Sequence, residues 1–451
     1  YHKIIKYGQN FQNTNKKIHG KNMNYTYLLI LFFLITSFEM GSFNVFFGPD
    51  IHNNVISLFF SIILSWHLLL AIKFKKIFNF GHLDSSEFKY FSTILLLLAI
   101  FHISHSFIVG PLSSMKYAAY LFILFILITQ TQEKYFNRLG VIYFSFMSFV
   151  SIAAVVQILL ISISGTSIYD FDTIKLVNSS FFRDVDYVQP YLLTFSSAEE
   201  NVSFGPLSFI RAIGFSSEPK YFSVMLWSAY AISLNWNHSK YKKLLLFIRA
   251  SLLIGIFFSH AYSSLLIILL AFLFYRLISM RFINNKIKAI IIVITPFLIS
   301  IALTIFVNTI LNLIPNDGAI SSRMASFIYS TGGLDLTNAT NFLLFGSNIV
   351  AQKDGGIGGS TMLLNLYRFG YVGFILYLTP IIFIIYKSIL NFNYLEKKQR
   401  YGLALLLSIY IIYYQIFFSQ PYTLLSCFIL ANIINTGIRQ KIVRTLQQKS
   451  S

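Results

Sequence analysis

The chain has 451 residues, 56% of them hydrophobic and 11% charged, with a mean hydropathy of +0.66, a mix that excludes an ordinary water-soluble domain. Its 35 Lys and Arg against 16 Asp and Glu leave a net charge of +19, so the placement of the charge decides whether it marks a nucleic-acid partner or something else. The single cysteine, Cys427, excludes an intrachain disulfide and a cysteine-built metal site.

Residues 1–24 form a polar, Lys-rich tail, and Met23, just before the first apolar run, is a candidate start of translation. Apolar runs near the ~20 residues that cross a bilayer then follow at 25–47, 55–72, 90–109, 115–130 and 141–164. No small-residue cleavage site follows the first, which therefore reads as an uncleaved helix. After a polar stretch at 165–220 come runs at 221–236, 244–259, 263–278 and 287–311; after a second, at 312–360, come 361–386, 403–419 and 423–438, followed by a tail at 439–451. The expected fold is all-α, a polytopic membrane bundle of about 12 transmembrane helices. Short connections make neighbours antiparallel, and no repeat relates the two halves, which argues against a transporter built by duplication.

With the N-terminus inside, only eight cations fall on the outer side: Lys116, Lys175, Arg183, Arg211, Lys220, Arg323, Lys353 and Arg368. Eleven acids accompany them, and the remaining 27 of the 35 cations lie inside. This is the positive-inside pattern, so topology explains the basicity, no nucleic-acid partner is expected, and both termini are cytoplasmic. The two long polar stretches, 56 and 49 residues, are then outer loops; loops of such length carry function, and the aromatics of the first, such as Phe181, Tyr187 and Phe195, favour order.

The first loop ends in RAIGFSSEPKYFS, bringing Arg211, Glu218 and Lys220 to the mouth of the sixth span. One reading is a helix start, with Ser216 or Ser217 as cap, Pro219 in the first turn and Glu218 facing the positive helix end. The other is a carboxylate base held ionised between two cations near an anionic substrate. In the second loop, Arg323 lies within SSRMAS, and Gly355, Gly356, Gly358 and Gly359 lead to Ser360. That glycine run lacks the Lys-Ser/Thr of a P-loop; it either caps the tenth span or offers backbone NH groups to phosphate. Arg368 stands about two turns into that span, where an arginine costs up to roughly 3 kcal/mol and is a functional-site hypothesis by default. Arg249 lies toward the cytoplasm, where snorkelling accounts for it. His260, in the outer turn FFSHAYSS, is either a solvated interface residue or a general base. Asp170 with Asp172 and Asp184 with Asp186 form two D-x-D pairs that would share a face of an extended segment, but no full metal-ligand spacing accompanies them, and no metal is expected.

Arg211, Gly214, Glu218 and Pro219 in R-x-x-G-x-x-x-E-P, the serine-containing turn at 259–263, the S-x-R-like segment at Arg323 and the G-x-x-G at Gly370 and Gly373 resemble the O-antigen polymerase (Wzy) family, within the wider group of O-antigen ligases and polymerases. The likeness in layout covers nearly the whole chain. The R-x10-G spacing of some members is absent, since Phe222 and Leu334 stand where it needs glycine; the loop histidine that marks ligases is absent from 312–360. The resemblance implies a GT-C-like glycosyltransferase of the bacterial inner membrane, with both long loops periplasmic. Its donor and acceptor would be glycans linked to polyprenyl diphosphate. It would need no nucleotide sugar, cofactor or metal, and its partners would be membrane lipid and a chain-length regulator. The roles implied are diphosphate binding for Arg211, Lys220, Arg323 and Arg368, and proton abstraction by Glu218, with His260 second. An O-antigen ligase and a flippase or transporter of lipid-linked oligosaccharide are the alternatives.

Overall fold

The computed structural model describes residues 85–108, 115–129, 133–163, 173–178, 183–188, 195–204, 207–214, 219–236, 241–261, 263–311, 362–417 and 425–436. Ten of the twelve apolar runs fall among them, and each is a helix; the runs at 25–47 and 55–72, the loop at 312–360 and both tails lie outside the described residues. The helices are α1 (Ser85–Ile108), α2 (Met115–Thr129), α3 (Glu133–Ile163), α4 (Pro219–Asn235), α5 (Lys242–Ser259), α6 (Ser263–Ser279), α7 (Asn285–Leu311), α8 (Met362–Leu390), α9 (Lys397–Ile409) and α10 (Leu425–Thr436). A 3-10 turn at Phe392–Tyr394 links α8 to α9, and α9 continues as a π-helix over Tyr410–Phe417.

The described residues are mostly helical, but they are not all-α. Within the first expected loop it folds into an antiparallel meander, β1 (Thr173–Asn178), β2 (Arg183–Val188), β3 (Phe195–Phe204) and β4 (Leu207–Gly214), in the order β1-β2-β3-β4. The register sets Ile174 opposite Tyr187 and Leu176 opposite Val185, so one alternating apolar set shares a face, while Lys175 stands opposite Asp186. Alternation of period two, diluted by charge, is what makes this stretch sheet rather than coil.

Among the described residues, two helical segments, Phe136–Leu160 and Phe369–Leu390, are long and apolar enough to cross a membrane. The outer helices bury one apolar stripe and expose another. In α6, Ile267, Leu270, Ala271, Phe274 and Ile278 are buried, while Leu265, Leu266, Ile268, Leu269, Phe272 and Leu273 are exposed. A helix facing water carries polar residues on its outer stripe; this one carries leucine and phenylalanine. The centre belongs to α9 and α10, where residues 402–414 and 425–436 are all buried.

Polar ties knit the helices where small residues let them approach. Ser148 Oγ and Ser251 Oγ lie 2.5 Å apart, and Ser151 Oγ donates to Ser251 O at 2.6 Å, joining α3 to α5. A Cβ at Gly255 would come 2.0 Å from Ser151 Oγ, so only glycine permits that approach. Helix α10 is tied to α8 by Ser388 Oγ donating to Ile433 O (2.9 Å) and to α4 by Asn235 Nδ2 donating to Thr436 Oγ1 (2.9 Å).

The bundle has two distinct ends. Strand β4 packs on α3, α4 and α5, so the sheet lies at the end where α3 finishes, α4 starts and α5 turns into α6. The other end gathers cations that meet helix carbonyls. Arg249 donates to Trp236 O at 3.2 Å and also bonds Ser233 O, capping α4. Lys288, only 3% exposed, donates to Ile278 O at 2.9 Å and caps α6. Lys387 in the last turn of α8 pairs with Glu87 in the first turn of α1, and Arg400 donates to Leu395 O and Asn393 O, each at 2.9 Å. Arg249 is therefore a helix cap rather than a snorkelling side chain.

Candidate functional site

The motif of Arg211, Gly214 and Pro219 is the corner between sheet and bundle. Arg211 is half-buried on β4, followed by the fully buried Ala212 and Ile213. Gly214 then turns with φ +58, and a Cβ there would lie 2.4 Å from the ring of Phe222, so the corner needs glycine on two counts. Pro219 opens α4, where its missing NH leaves no bond unmade. Lys220 follows as the second residue of that helix. Glu218 immediately precedes it in sequence and lies outside the described residues, as does Arg323.

His260 ends α5 at the same end of the bundle. Its backbone is left-handed (φ 45, ψ 37), and its NH donates to Phe257 O at 3.1 Å. Among the described residues it is the one non-glycine residue with positive φ, at a C-cap position where glycine is the usual choice. The imidazole packs on the Phe257 ring, 5.4 Å between centroids. Burial, and then the positive charge of Arg211, hold its pKa below the ordinary histidine value, so it is neutral near neutral pH. The structure thus brings together Arg211 and His260, 49 residues apart, of the six residues expected in the site.

A hydroxyl network adjoins this pair. Ser263, the first residue of α6, hydrogen-bonds to the phenol of Tyr413 in the π-helix, and that phenol also reaches Ser223 at the start of α4. Ser223 Oγ lies 3.0 Å from Ser264 Oγ, which accepts from Trp227 Nε1 at 3.0 Å. Sequence reasoning singled out the serine turn but missed Ser223, Trp227 and Tyr413, because their meeting depends on packing between helices.

Arg368 is not two turns into a continuous helix. Helix α8 breaks at Gly370 (φ 66, ψ −176), which sets the residues before it apart from the long segment after it. A Cβ at Gly373 would lie 2.4 Å from the Phe101 ring, so the G-x-x-G provides first the break and then the close approach to α1. His102 on α1 is buried beside that break, its ring 5.2 Å from Phe369 and 5.9 Å from Phe101. It was missed in sequence, where its signal was an ionisable residue inside an apolar run.

At the opposite end a shallow cleft of about 20 Å³ is lined by Asn137, Asn235, Asn432, Asn435 and Thr436 among others; none of its lining groups titrates, so it offers no acid or base. Among the described residues no group of three or more His, Cys, Asp or Glu converges as a metal set. No protein-family model, curated protein or solved structure matches the chain.

Proposed function

We propose that the protein is a polytopic membrane glycosyltransferase that joins oligosaccharide repeat units carried on polyprenyl diphosphate, as an O-antigen type polymerase with its site at the sheet end. The observation that carries the reading is a neutral His260 held in a left-handed turn at the sheet end, near enough to Arg211 to feel its charge. Strain at a non-glycine residue persists where the surroundings over-determine it, and such residues cluster at reactive sites. The exposed leucine and phenylalanine stripes of α5 and α6 fit a lipid solvent, and the collection of capping cations at the far end fits a cytoplasmic face.

In the reaction proposed, an acceptor hydroxyl attacks the anomeric carbon of the donor, the C–O bond to the diphosphate breaks, and lipid diphosphate leaves. The acceptor proton goes to a base. His260 is favoured for that role because it is neutral where it is needed, and Glu218 is the competing candidate. Arg211, joined by Lys220, Arg323 and Arg368 from neighbouring segments, would meet the leaving diphosphate, which an arginine fork suits in charge and geometry. The expected location is the bacterial inner membrane, with both termini cytoplasmic.

The test is the surface-glycan ladder of a deletion strain complemented with variants. A polymerase leaves a single capped repeat on deletion, and the ladder returns with the wild-type chain but not with His260→Gln. Uncapped core alone would reassign the chain to a ligase or flippase, an unchanged ladder would remove all three readings, and a full ladder with His260→Gln would hand the base role to Glu218.

A further inference from the structure

The turn that carries His260 is anchored from outside its own helices. Ser259 Oγ donates to Ile256 O at 2.7 Å and Ser264 NH donates to Ala261 O at 2.9 Å, so α5 and α6 each close their own end of it. Neither bond ties the turn to the rest of the bundle. That connection runs through Ser263 to Tyr413, 150 residues away, and through Ser264 to Ser223 and Trp227 on α4. Tyr413 is fully buried, and its segment is π-helical over Tyr410–Phe417. Bonding from i to i+5 is poorer than the α pattern and usually lasts a single turn, so eight residues of it need a compensating gain. Here the π segment begins where α9 runs alongside α6, and the phenol it delivers reaches the first residue of that helix.

We propose that Tyr413 is a positioning residue for His260: its phenol, through Ser263 and Ser223, clamps the 259–264 turn to α4 and α9 and so holds the imidazole beside Arg211. The clamp is a property of the folded chain and stands whatever reaction is run; its effect on glycan synthesis rests on the polymerase reading. A base displaced by about 1 Å loses on the order of 100-fold in rate, so the loss of one hydroxyl has leverage beyond its own hydrogen bond.

Tyr413→Phe removes the hydroxyl and keeps the ring, and Ser263→Ala removes the same bond from the other side. In the full chain held in lipid nanodiscs, hydrogen exchange over 259–264 is expected to rise about tenfold or more in each variant. The pH midpoint for diethyl pyrocarbonate modification of His260, followed on its own peptide, should move upward as the ring gains water. The double variant should do no more than Tyr413→Phe alone, because that change already removes the bond Ser263→Ala removes, together with the reach to Ser223. In complemented cells the ladder should shorten with each. Unchanged exchange and an unchanged midpoint in both variants would overturn the proposal. Should Tyr413→Phe fail to fold, Ser263→Ala alone decides it. If exchange and midpoint respond while the ladder is independent of the protein altogether, the clamp stands and the polymerase reading falls.

Discussion

The two ends of the bundle use positive charge in opposite ways. At the end away from the sheet, Arg249, Lys288 and Arg400 point their donors at backbone carbonyls, and Lys387 meets a carboxylate. Each answers the negative end of a helix or an acid, so charge there stabilises the fold. At the sheet end, burial and then the charge of Arg211 keep His260 from becoming a second cation. His260 itself closes the C-terminal end of α5, and under the function proposed the cation near it suits a site that keeps a neutral base and receives an anion. Under the function proposed, the cations of the chain divide between those that cap helix ends and those that would meet an anionic substrate.

Substitutions of His260 should therefore remove activity without unfolding the chain. The largest expected effect is at His260. His260→Gln should lower glycan polymerisation by about 100- to 10,000-fold, the usual worth of a general base. His260→Gly should be as inactive yet keep thermal stability within about 1 kcal/mol, since relief of left-handed strain offsets the freedom glycine gains in the unfolded chain. Loss of stability with retained specific activity in the glycine variant would make His260 a structural cap and break the contrast.

Next in size is the corner that presents Arg211. Gly214→Ala meets both a positive φ and the Phe222 ring at 2.4 Å, so a loss of about 2–4 kcal/mol is expected in detergent-solubilised unfolding. Pairing it with Phe222→Leu should recover the steric part and leave the backbone part.

How much of this contrast was readable from sequence follows from the kind of interaction. Helix positions were legible because apolar runs are local: the run at 263–278 became Ser263–Ser279 and that at 115–130 became Met115–Thr129. The sheet was not, since Arg183, Asp184 and Asp186 dilute the alternation of Val185 and Tyr187. The break at Gly370 was hidden because a glycine in an apolar run reads equally as a packing contact, which is what Gly373 is. In the site, Arg211 and His260 were each named from the sequence, but their pairing and the reach of Tyr413 to Ser263 are tertiary, and no local pattern encodes them.

At the opposite end, stability should fall while chemistry survives. Arg249→Met leaves the carbonyls of Ser233 and Trp236 without their guanidinium donor, and should cost about 1–3 kcal/mol with a normal glycan ladder. A shortened ladder at unchanged protein level would show that the two ends are coupled.

A smaller shift should separate burial from charge at His260. Its folded pKa is lowered, so folding stability is fully present above the ordinary histidine value of about 6.5 and is lost as pH falls through it toward the folded value, where the unfolded chain takes up the proton first. Arg211→Met removes the second of the two causes, so the modification midpoint of His260 should rise by less than the full displacement and the acid loss of stability should flatten. A midpoint that does not move would mean that burial alone keeps the ring neutral.

The smallest effect is expected at the Glu87–Lys387 pair, whose side chains are 27% and 17% exposed. Both groups keep contact with solvent, so screening removes most of their attraction, and Glu87→Gln should change stability by about 1 kcal/mol or less. The difference should shrink further in high salt, where the Debye length falls to about 3 Å. It is nevertheless the sharpest check on the structural role of charge at this end, because the pair joins the first turn of α1 to the last turn of α8 across 300 residues of sequence. A larger, salt-independent loss in Glu87→Gln, or any effect on the ladder, would show that the pair does more than join these two helix ends.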